Sequence, residues 1–433
     1  MNMNRRTFLR LPTLLPLGAF YPATLSEEHH FQFEGVVGTS MDLVVWASSS
    51  RAAKYVCQTI LEEIDRLVSI LNVRDSTSEI SLLEANPERS VSRELTEVLG
   101  AYEYWEHRTN GVFSIRPGGA NAPRNVDALG KAYIIDEASK AALKAWPSID
   151  SLMLNIGGDV VVSGGSCKIA IADPNAWYDN ARPIATITLR NAAVATSGTY
   201  ARGTHLTDAR TGESLSAATA ATVVASDAIT ANALATTLCL ANADEGLRLV
   251  ESTPGAEALR ITPGVLQRTS GFPLLERPLF AQTPVTTNWP PGYHLTVTLP
   301  LRAGRSKKRP YVAVWVEDSS GKLVRILAVW GNKYKYYPDL STAWSFLKRS
   351  DGQLRSVTRA TRPAGKYELE WDGLDSERRP VPLGVYRITV ETNQENGSYA
   401  KQAGTISLGD APATITLSAT TNFDEVLVRY GPR

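Results

Sequence analysis

Residues 125–162 read NVDALGKAYIIDEASKAALKAWPSIDSLMLNIGGDVVV. Val126 to Trp146 is Ala-rich, so it predicts a helix, with Asn125 placed as its N-cap. Leu152 to Val162 then reads as an apolar strand. Working outward, Val56, Ile60, Ile64, Val68 and Leu71 recur at helical spacing within Arg51–Asn72. Leu95, Val98, Leu99, Tyr102 and Trp105 make a second stripe, and His30 to Trp46 is β-rich. Downstream, Lys168–Ala172, Ile184–Leu189 and Thr222–Ala225 read as strands, and Asp227–Leu240 as a helix capped by Ser226. Helices and strands mixed in this way predict an α+β layered domain over 31–272.

The texture changes over 273–291, where prolines cluster and helical periodicity stops. A linker is expected there. From 292 to 433 short alternating runs follow one another: His294–Leu299, Tyr311–Val316, Tyr367–Trp371, Val385–Val390, Thr414–Leu417 and Glu425–Val428. With no helix of any length among them, these predict an all-β, sandwich-like domain. Trp330, Tyr334, Tyr336, Tyr337, Trp344 and Phe346 crowd one loop-rich segment together with Lys333, Lys335 and Lys348. They read as the core edges of the sandwich, with a binding face as the alternative.

The chain has 433 residues, enough for two or three domains that each bury a core. With 45 Lys+Arg against 44 Asp+Glu, no whole-protein field draws it to nucleic acid, and no nucleic-acid partner is expected. No apolar run reaches the length that spans a bilayer, so no transmembrane segment is expected in the mature chain. Arg5-Arg6-Thr7-Phe8-Leu9, the apolar run Leu11 to Phe20 and the small residues Ala23 and Ser26 read as a twin-arginine-type export signal over 1–26. The mature protein is expected in the periplasm, starting near Thr24 to Glu27. Cys57, Cys167 and Cys239 are far apart, lack a C-x-x-C and lie among apolar neighbours, so they read as small buried hydrophobes.

Four stretches carry chemistry. Asn125 to Asp136 opens a helix, whose first N–H groups and partial positive charge suit phosphate, with Lys131 within reach of the same anion. Asn155-Ile-Gly157-Gly158-Asp159 ends a strand, and its glycines permit either a tight turn or close approach of a ligand. Ala195-Thr196-Ser197-Gly198-Thr-Tyr200 reads as a polar loop. It leads to His205, one of five histidines, flanked by Asp208 and Arg210 and so a candidate for proton transfer. In Ala231 to Thr236, Asn232 and Thr236 are four apart, share one helical face and offer oxygens to a hard cation such as Mg²⁺.

Taken together, in order and spacing, these stretches resemble the ApbE family of FAD:protein FMN transferases. The family's D-x-x-x-x-x-K-G-Y-x-x-D is similar to Asn125–Asp136, its N-x-G-G-D to Asn155–Asp159 and its A-T-S-G-x-Y to Ala195–Tyr200. Its H-I-x-D-P-R-T-G is similar to His205–Gly212 and its A-D-A-x-A-T to Ala231–Thr236. Gly38-Thr39 and Ser78-Glu79-Ile80 fall where the family has G-T and S-E-I/L. The resemblance covers about residues 33–270, and the tail resembles a β-rich domain of exported proteins with no known activity.

What the resemblance implies is a Mg²⁺-dependent transfer of FMN from FAD to a Thr or Ser hydroxyl of a target flavoprotein, with release of AMP. It further implies catalytic roles for His205, Lys131, Asp208 and Arg210, and nucleotide contacts from Asn125, Lys131, Gly157, Gly158, Asp159, Thr196, Ser197 and Gly198. The metal would be held by Asn232, Thr236 and the backbone carbonyl of Ala128. The alternative readings are an exported flavin-binding protein without transferase activity and a scaffold that binds a periplasmic partner through its sandwich. The pattern also departs from the family's. Its two acids fall on Asn125 and Asn232, its Pro on Ala209, its K-G-Y glycine on Ala132 and its Met before G-T on Val37. Arg74 stands near where an aromatic side chain would stack on the flavin ring. Asp127 is the candidate to restore the missing charge at the metal.

Overall fold

The structure, a computed structural model, describes residues 26–119, 121–174, 183–198, 206–214, 219–276, 287–302, 309–331, 334–347, 358–359, 362, 364–377, 379–394 and 397–432. The expected export signal lies outside the described residues except for Ser26. No described helix is long and apolar enough to cross a membrane.

The N-terminal unit is built on eight strands: β1 (Glu27–Val36), β2 (Thr39–Ala47), β3 (Ser151–Ile156), β4 (Asp159–Ile171), β5 (Ala185–Gly198), β6 (Ala220–Ala225), β7 (Glu257–Thr262) and β8 (Val265–Arg268). They lie side by side in chain order, and every neighbouring pair is antiparallel. Helices enter as two blocks. The helices α1 (Ser50–Leu71), α2 (Glu79–Ala85), α3 (Arg93–Arg108) and α4 (Asp127–Ala145) stand between β2 and β3, and α5 (Ala228–Leu240) and α6 (Ala243–Glu251) between β6 and β7. Antiparallel neighbours need no helical crossover, which makes the layering α+β rather than α/β.

The helices cover one face of the sheet. Val56, Ile60, Ile64, Leu67 and Leu71 of α1 pack with Met41, Leu43 and Val45 of β2 in one continuous core. Burying each such side chain contributes on the order of 1.5–3 kcal/mol. Helix α5 is buried on nearly all sides, and its alanines let it lie close to β5, β6 and α4. Its cap is Asp227, whose carboxylate accepts the Thr230 N–H, and not Ser226, which donates its hydroxyl to Asp227. A carboxylate one residue nearer the helix reaches the N-terminal amides directly.

Two further readings are corrected. The run Leu152–Val162 is a hairpin and not one strand. Gly157 (φ +60°) and Gly158 (φ +95°) form a two-residue turn between the paired Ile156 and Asp159, and such turns require left-handed backbone at both central positions. Ala195–Gly198 is not a loop but the end of β5, paired with β6 through Thr196–Thr222 and Ser197–Ala221.

Residues 293 onward form two facing sheets. A five-stranded sheet holds β10 (Tyr311–Asp318), β11 (Leu323–Trp330), β12 (Thr358–Arg359), β14 (Gly384–Asn393) and β15 (Tyr399–Leu408). A four-stranded sheet holds β9 (Tyr293–Leu301), β13 (Gly365–Trp371), β16 (Ala413–Leu417) and β17 (Val426–Pro432). Between them lies an apolar core that includes Val297, Val314, Ile388 and Val428. Trp289, from the stretch read as linker, is buried edge-on against Trp371 and Tyr430, each with ring centroids 5.1 Å away. That stretch opens on a short helix, α7 (Phe272–Leu275), and residues 277–286 lie outside the described residues.

The tail does contain helix, contrary to expectation. A 3-10 turn (Tyr334–Asp339) and α8 (Ser341–Leu347) cover the outer face of the five-stranded sheet, burying Tyr337, Leu340, Ala343 and Leu347 against Tyr311, Trp315 and Val329. The aromatic crowd is thus core, as favoured from sequence, with Tyr336, Trp344 and Phe346 packed at its margin. Glu391, fully buried on β14, anchors α8 by accepting the N–H groups of Thr342 (3.0 Å) and Ala343 (2.8 Å).

Candidate functional site

A cleft of about 2330 Å³ runs round the end of the large sheet, where the β1–β2 and β3–β4 turns lie. On the helical side it is lined by the start of α4, by α5 and by the turn at Gly157-Gly158. Strand alternation sends neighbouring residues to opposite faces. Val161 belongs to the helix-side core, so Asp159 on the same strand faces the helices. There Lys131 Nζ meets Asp159 Oδ2 at 2.7 Å, and Asn232 donates from Nδ2 to the same oxygen at 3.1 Å. All three groups are largely shielded: Asp159 is 3% exposed and Asn232 7%. The Asn232 carbonyl oxygen is buried with no hydrogen-bond partner. One turn on, Thr236 and Ser197 share a hydroxyl hydrogen bond of 3.1 Å.

The expectation that the start of α4 presents open N–H groups is corrected. Asn125 Oδ1 accepts the Asp127 N–H at 2.9 Å, and the Tyr102 hydroxyl oxygen, buried on α3, accepts the Leu129 N–H at 3.2 Å. Asn125 therefore makes a turn ahead of the helix instead of capping it; Val126 holds the cap position and makes no side-chain hydrogen bond. The start of α5 is filled as well. Asp136, the last residue of the α4 motif, accepts the Ala228 N–H through both oxygens, at 3.1 and 3.0 Å. Burial, reinforced by the nearby Asp227 charge, pushes the Asp136 carboxyl up to about 7.

Asp127 is held elsewhere than expected. Arg74 grips both of its oxygens, at 3.2 and 2.7 Å. The pair lies at the cleft wall, where Arg74 and Asp127 are both exposed enough to be solvated. Among the described residues, the two cations on the helical side of the cleft, Lys131 and Arg74, are thus each already matched to an acid, Asp159 and Asp127.

Thr196 and Ser197 are adjacent yet face opposite sides of the sheet. Ser197 reaches Thr236, whereas Thr196 bonds to Thr222 at 2.9 Å. Both line the cleft, as do Asn125, Ala128, Gly157, Gly158 and Gly198. Gly157 is also a close-approach position, since a Cβ there would lie 2.7 Å from Thr39 Cγ2. Asp208 and Arg210 are not among the lining residues. They pair with each other (2.7 Å) in a tight turn whose Ala209 N–H donates to Val112, and the Arg210 guanidinium holds the Asp208 carboxyl below its usual range. His205 lies outside the described residues; Gly198 and Leu206, the described residues on either side of it, both line the cleft.

Among the described residues no group of three or more His, Cys, Asp or Glu side chains is placed to hold a metal. What the described part of the cleft offers instead is hard oxygen: the orphaned Asn232 Oδ1, the Thr236 hydroxyl and the buried carboxylate of Asp159. That donor chemistry fits an oxygen-preferring divalent cation. Cys57, Cys167 and Cys239 are in no disulfide; burial pushes Cys57 and Cys239 up to about 12, which keeps them protonated and unreactive.

Residues 122–260 match the model of the ApbE family. This part of the chain is similar to that family. Residues 293–425 match a second family, described as predicted periplasmic protein (DUF2271). No curated protein matches the chain. Among solved structures, the ApbE protein from Thermotoga maritima is 22% identical over 58% of this chain and 100% of its own, with a TM-score of 0.50. That likeness shows the ApbE fold. The flavin transferase ApbE from Vibrio cholerae (17% identity, 58% and 99% coverage) and the apo flavinyl transferase ApbE from Pseudomonas stutzeri (18%, 58% and 99%) each give a TM-score of 0.49.

Several cleft residues had no signal in the sequence: Tyr102 as the anchor of α4, Arg74 as the partner of Asp127, and Gly331 and Arg362, which reach the cleft from the sandwich.

Proposed function

We propose that this protein transfers FMN from FAD to a Thr or Ser hydroxyl of a target flavoprotein, releasing AMP, with Mg²⁺ at the site. The observation that carries this reading is the convergence of Lys131, Asp159 and Asn232 with the Ser197–Thr236 pair in one cleft of an ApbE-fold domain. In the reaction the acceptor oxygen bonds to the FMN phosphorus, the pyrophosphate P–O bond to AMP breaks, and the hydroxyl proton passes to a base. Such a displacement depends on positioning and on neutralising pyrophosphate charge.

Lys131 supplies a cation held in place by Asp159. Asn232 Oδ1, Thr236 Oγ1 and the Ala128 carbonyl would hold the divalent ion, with Asp127 able to add a carboxylate only after leaving Arg74. The ion, when bound, neutralises phosphate charge. Asn125, Gly157, Gly158, Thr196, Ser197 and Gly198 line the nucleotide, His205 takes the proton, and Asp208 with Arg210 fixes the turn that follows it. We place the protein in the periplasm, in keeping with the family matched by residues 293–425 and the expected signal over 1–26.

A second reading, flavin binding without transfer, is favoured by one specific feature. The amide of Asn232 brings no charge, and Lys131 already neutralises the one buried carboxylate beside it. Incubation with FAD, Mg²⁺ and an acceptor flavoprotein separates the two. In-gel fluorescence on the acceptor supports transfer, yellow protein with an unlabelled acceptor supports binding alone, and colourless protein with no label overturns both.

A further inference from the structure

Asp159 is only half used as the counter-ion of Lys131. Lys131 Nζ at 2.7 Å and Asn232 Nδ2 at 3.1 Å meet the same oxygen, Oδ2. The other oxygen, Oδ1, takes no hydrogen bond from the described residues, and Asp159 lines the cleft. Beside it, on a side chain 7% exposed, the Asn232 carbonyl oxygen is buried without a partner. Unused oxygens, one of them charged, thus sit on groups that already touch. Thr236, one turn along α5, adds a hydroxyl from the same helix. Such a set suits a hard divalent cation.

Asp127 is placed differently. Arg74 holds both of its oxygens, at 3.2 and 2.7 Å, whereas Asp159 is in direct contact with Asn232. The charge that an amide at 232 cannot bring is therefore nearest to hand on Asp159.

Lys131 stands in the way, and its chemistry lets it move. Its ammonium cancels the Asp159 charge, so nothing beside Asn232 draws a dication while the pair is closed. An ammonium has further donors and a flexible stem, and Lys131 lines the same cleft. A pyrophosphate offers it more negative charge than one carboxylate does. If Lys131 turned to phosphate with no other change, Asp159, 3% exposed, would be stranded as a buried unpaired charge. A divalent cation that arrives with the phosphate removes that cost.

We infer that Asp159 is a carboxylate ligand of the divalent cation, supplying the charge that Asn232 lacks, and that Lys131 exchanges Asp159 for the nucleotide phosphate as the cation arrives. The identity of the nucleotide rests on the transferase reading; the cation half does not. Cation and nucleotide then bind cooperatively, because each frees the group that the other needs. By linkage, each raises the affinity of the other by the same factor.

The probe is Mn²⁺ alone, titrated into the full mature chain without nucleotide and followed by electron paramagnetic resonance. Wild type is expected to bind it weakly, because Lys131 occupies Asp159. Lys131→Met frees the carboxylate and should bind Mn²⁺ about tenfold more tightly, the scale of one charged contact. In Lys131→Met/Asp159→Asn that gain is lost. A gain that survives in the double variant assigns the effect to the missing lysine charge alone and overturns the inference, as does the absence of any gain in Lys131→Met. Should Lys131→Met fail to fold, Asp159→Asn carries the test, with FAD titrated by calorimetry in Mg²⁺ and in chelator. Mg²⁺ should raise the FAD affinity of wild type by about tenfold or more, and that of Asp159→Asn by no more than about twofold. An equal Mg²⁺ effect in the two proteins overturns the inference. If FAD binds none of these proteins while the Mn²⁺ pattern holds, Asp159 stands as the cation's ligand and the transferase reading fails.

Discussion

Asn232 turns its amide nitrogen toward Asp159, 3.1 Å away, and leaves its carbonyl oxygen buried without a partner. A buried acceptor left unsatisfied costs on the order of 1–3 kcal/mol, so its persistence marks a place where a ligand completes the structure.

Asn232→Asp tests that statement. In chelator the new carboxylate faces Asp159 and loses the amide donor, so the variant is expected to melt below wild type, by a few degrees. Adding Mg²⁺ should raise its melting temperature more than it raises that of wild type, because binding to the native state alone stabilises it. Scanning calorimetry with and without Mg²⁺ measures both effects. An equal Mg²⁺ response in the two proteins counts against a cation at this position.

Lys131→Met strips the Asp159 carboxylate, 3% exposed, of its counter-ion. Breaking a buried pair from one side costs about 3–5 kcal/mol. The double variant Lys131→Met/Asp159→Asn removes the stranded charge and should recover most of that loss in urea unfolding, even though nucleotide binding stays impaired. Failure to recover means that packing, not charge, sets the cost.

Asp136 makes stability depend on pH in a defined direction. Its folded value of about 7 lies above the ordinary 3.8 because burial, then the neighbouring Asp227, disfavours the charged form. The folded state therefore binds more protons between those two values, and the stability this group contributes is full below about 4 and lost as pH rises toward 7. Asp136→Asn keeps an oxygen for the Ala228 N–H and should flatten that part of the pH–stability curve. An unchanged slope from pH 4 to 7 would assign the dependence to other groups.

The two hairpin turns at the cleft respond oppositely to substitution. Gly157→Ala places a Cβ 2.7 Å from Thr39 Cγ2 and forces a left-handed backbone on Ala, so it should cost about 1–2 kcal/mol or more. Val37 already sits at φ +49°, an unfavourable conformation for a β-branched residue. Val37→Asn, or Val37→Gly, is expected to stabilise the protein by roughly 0.5–1 kcal/mol. Denaturant midpoints of the two variants should move in opposite directions.

Much of the architecture was legible because it repeats. The α1 stripe, the apolar α5 and the alternating tail each carry a period that burial imposes on any sequence of that shape. The parts that escaped are those fixed by partners remote in sequence. Asn125 looked like a cap, and only the fold reveals that Tyr102 occupies the amide beyond it. Gly157-Gly158 read as the end of a strand, since an apolar run looks the same whether or not it turns back on itself. The motif residues gathered at the cleft were visible as a set, but their pairings were not: Asp127 belongs to Arg74, and Lys131 to Asp159.

Every strand of the large sheet pairs with its neighbour in the chain, but β2 meets β3 only after α1–α4 have been spanned. Closing that long loop is the slow step such a topology imposes, so the N-terminal hairpin is expected to dock late, onto strands already zipped together. The exposed connection between α2 and α3, around Asn86 to Ser90, is then a natural place to cut. Two separately made fragments divided there retain the whole of their mutual ladder and should reassemble into the native sheet.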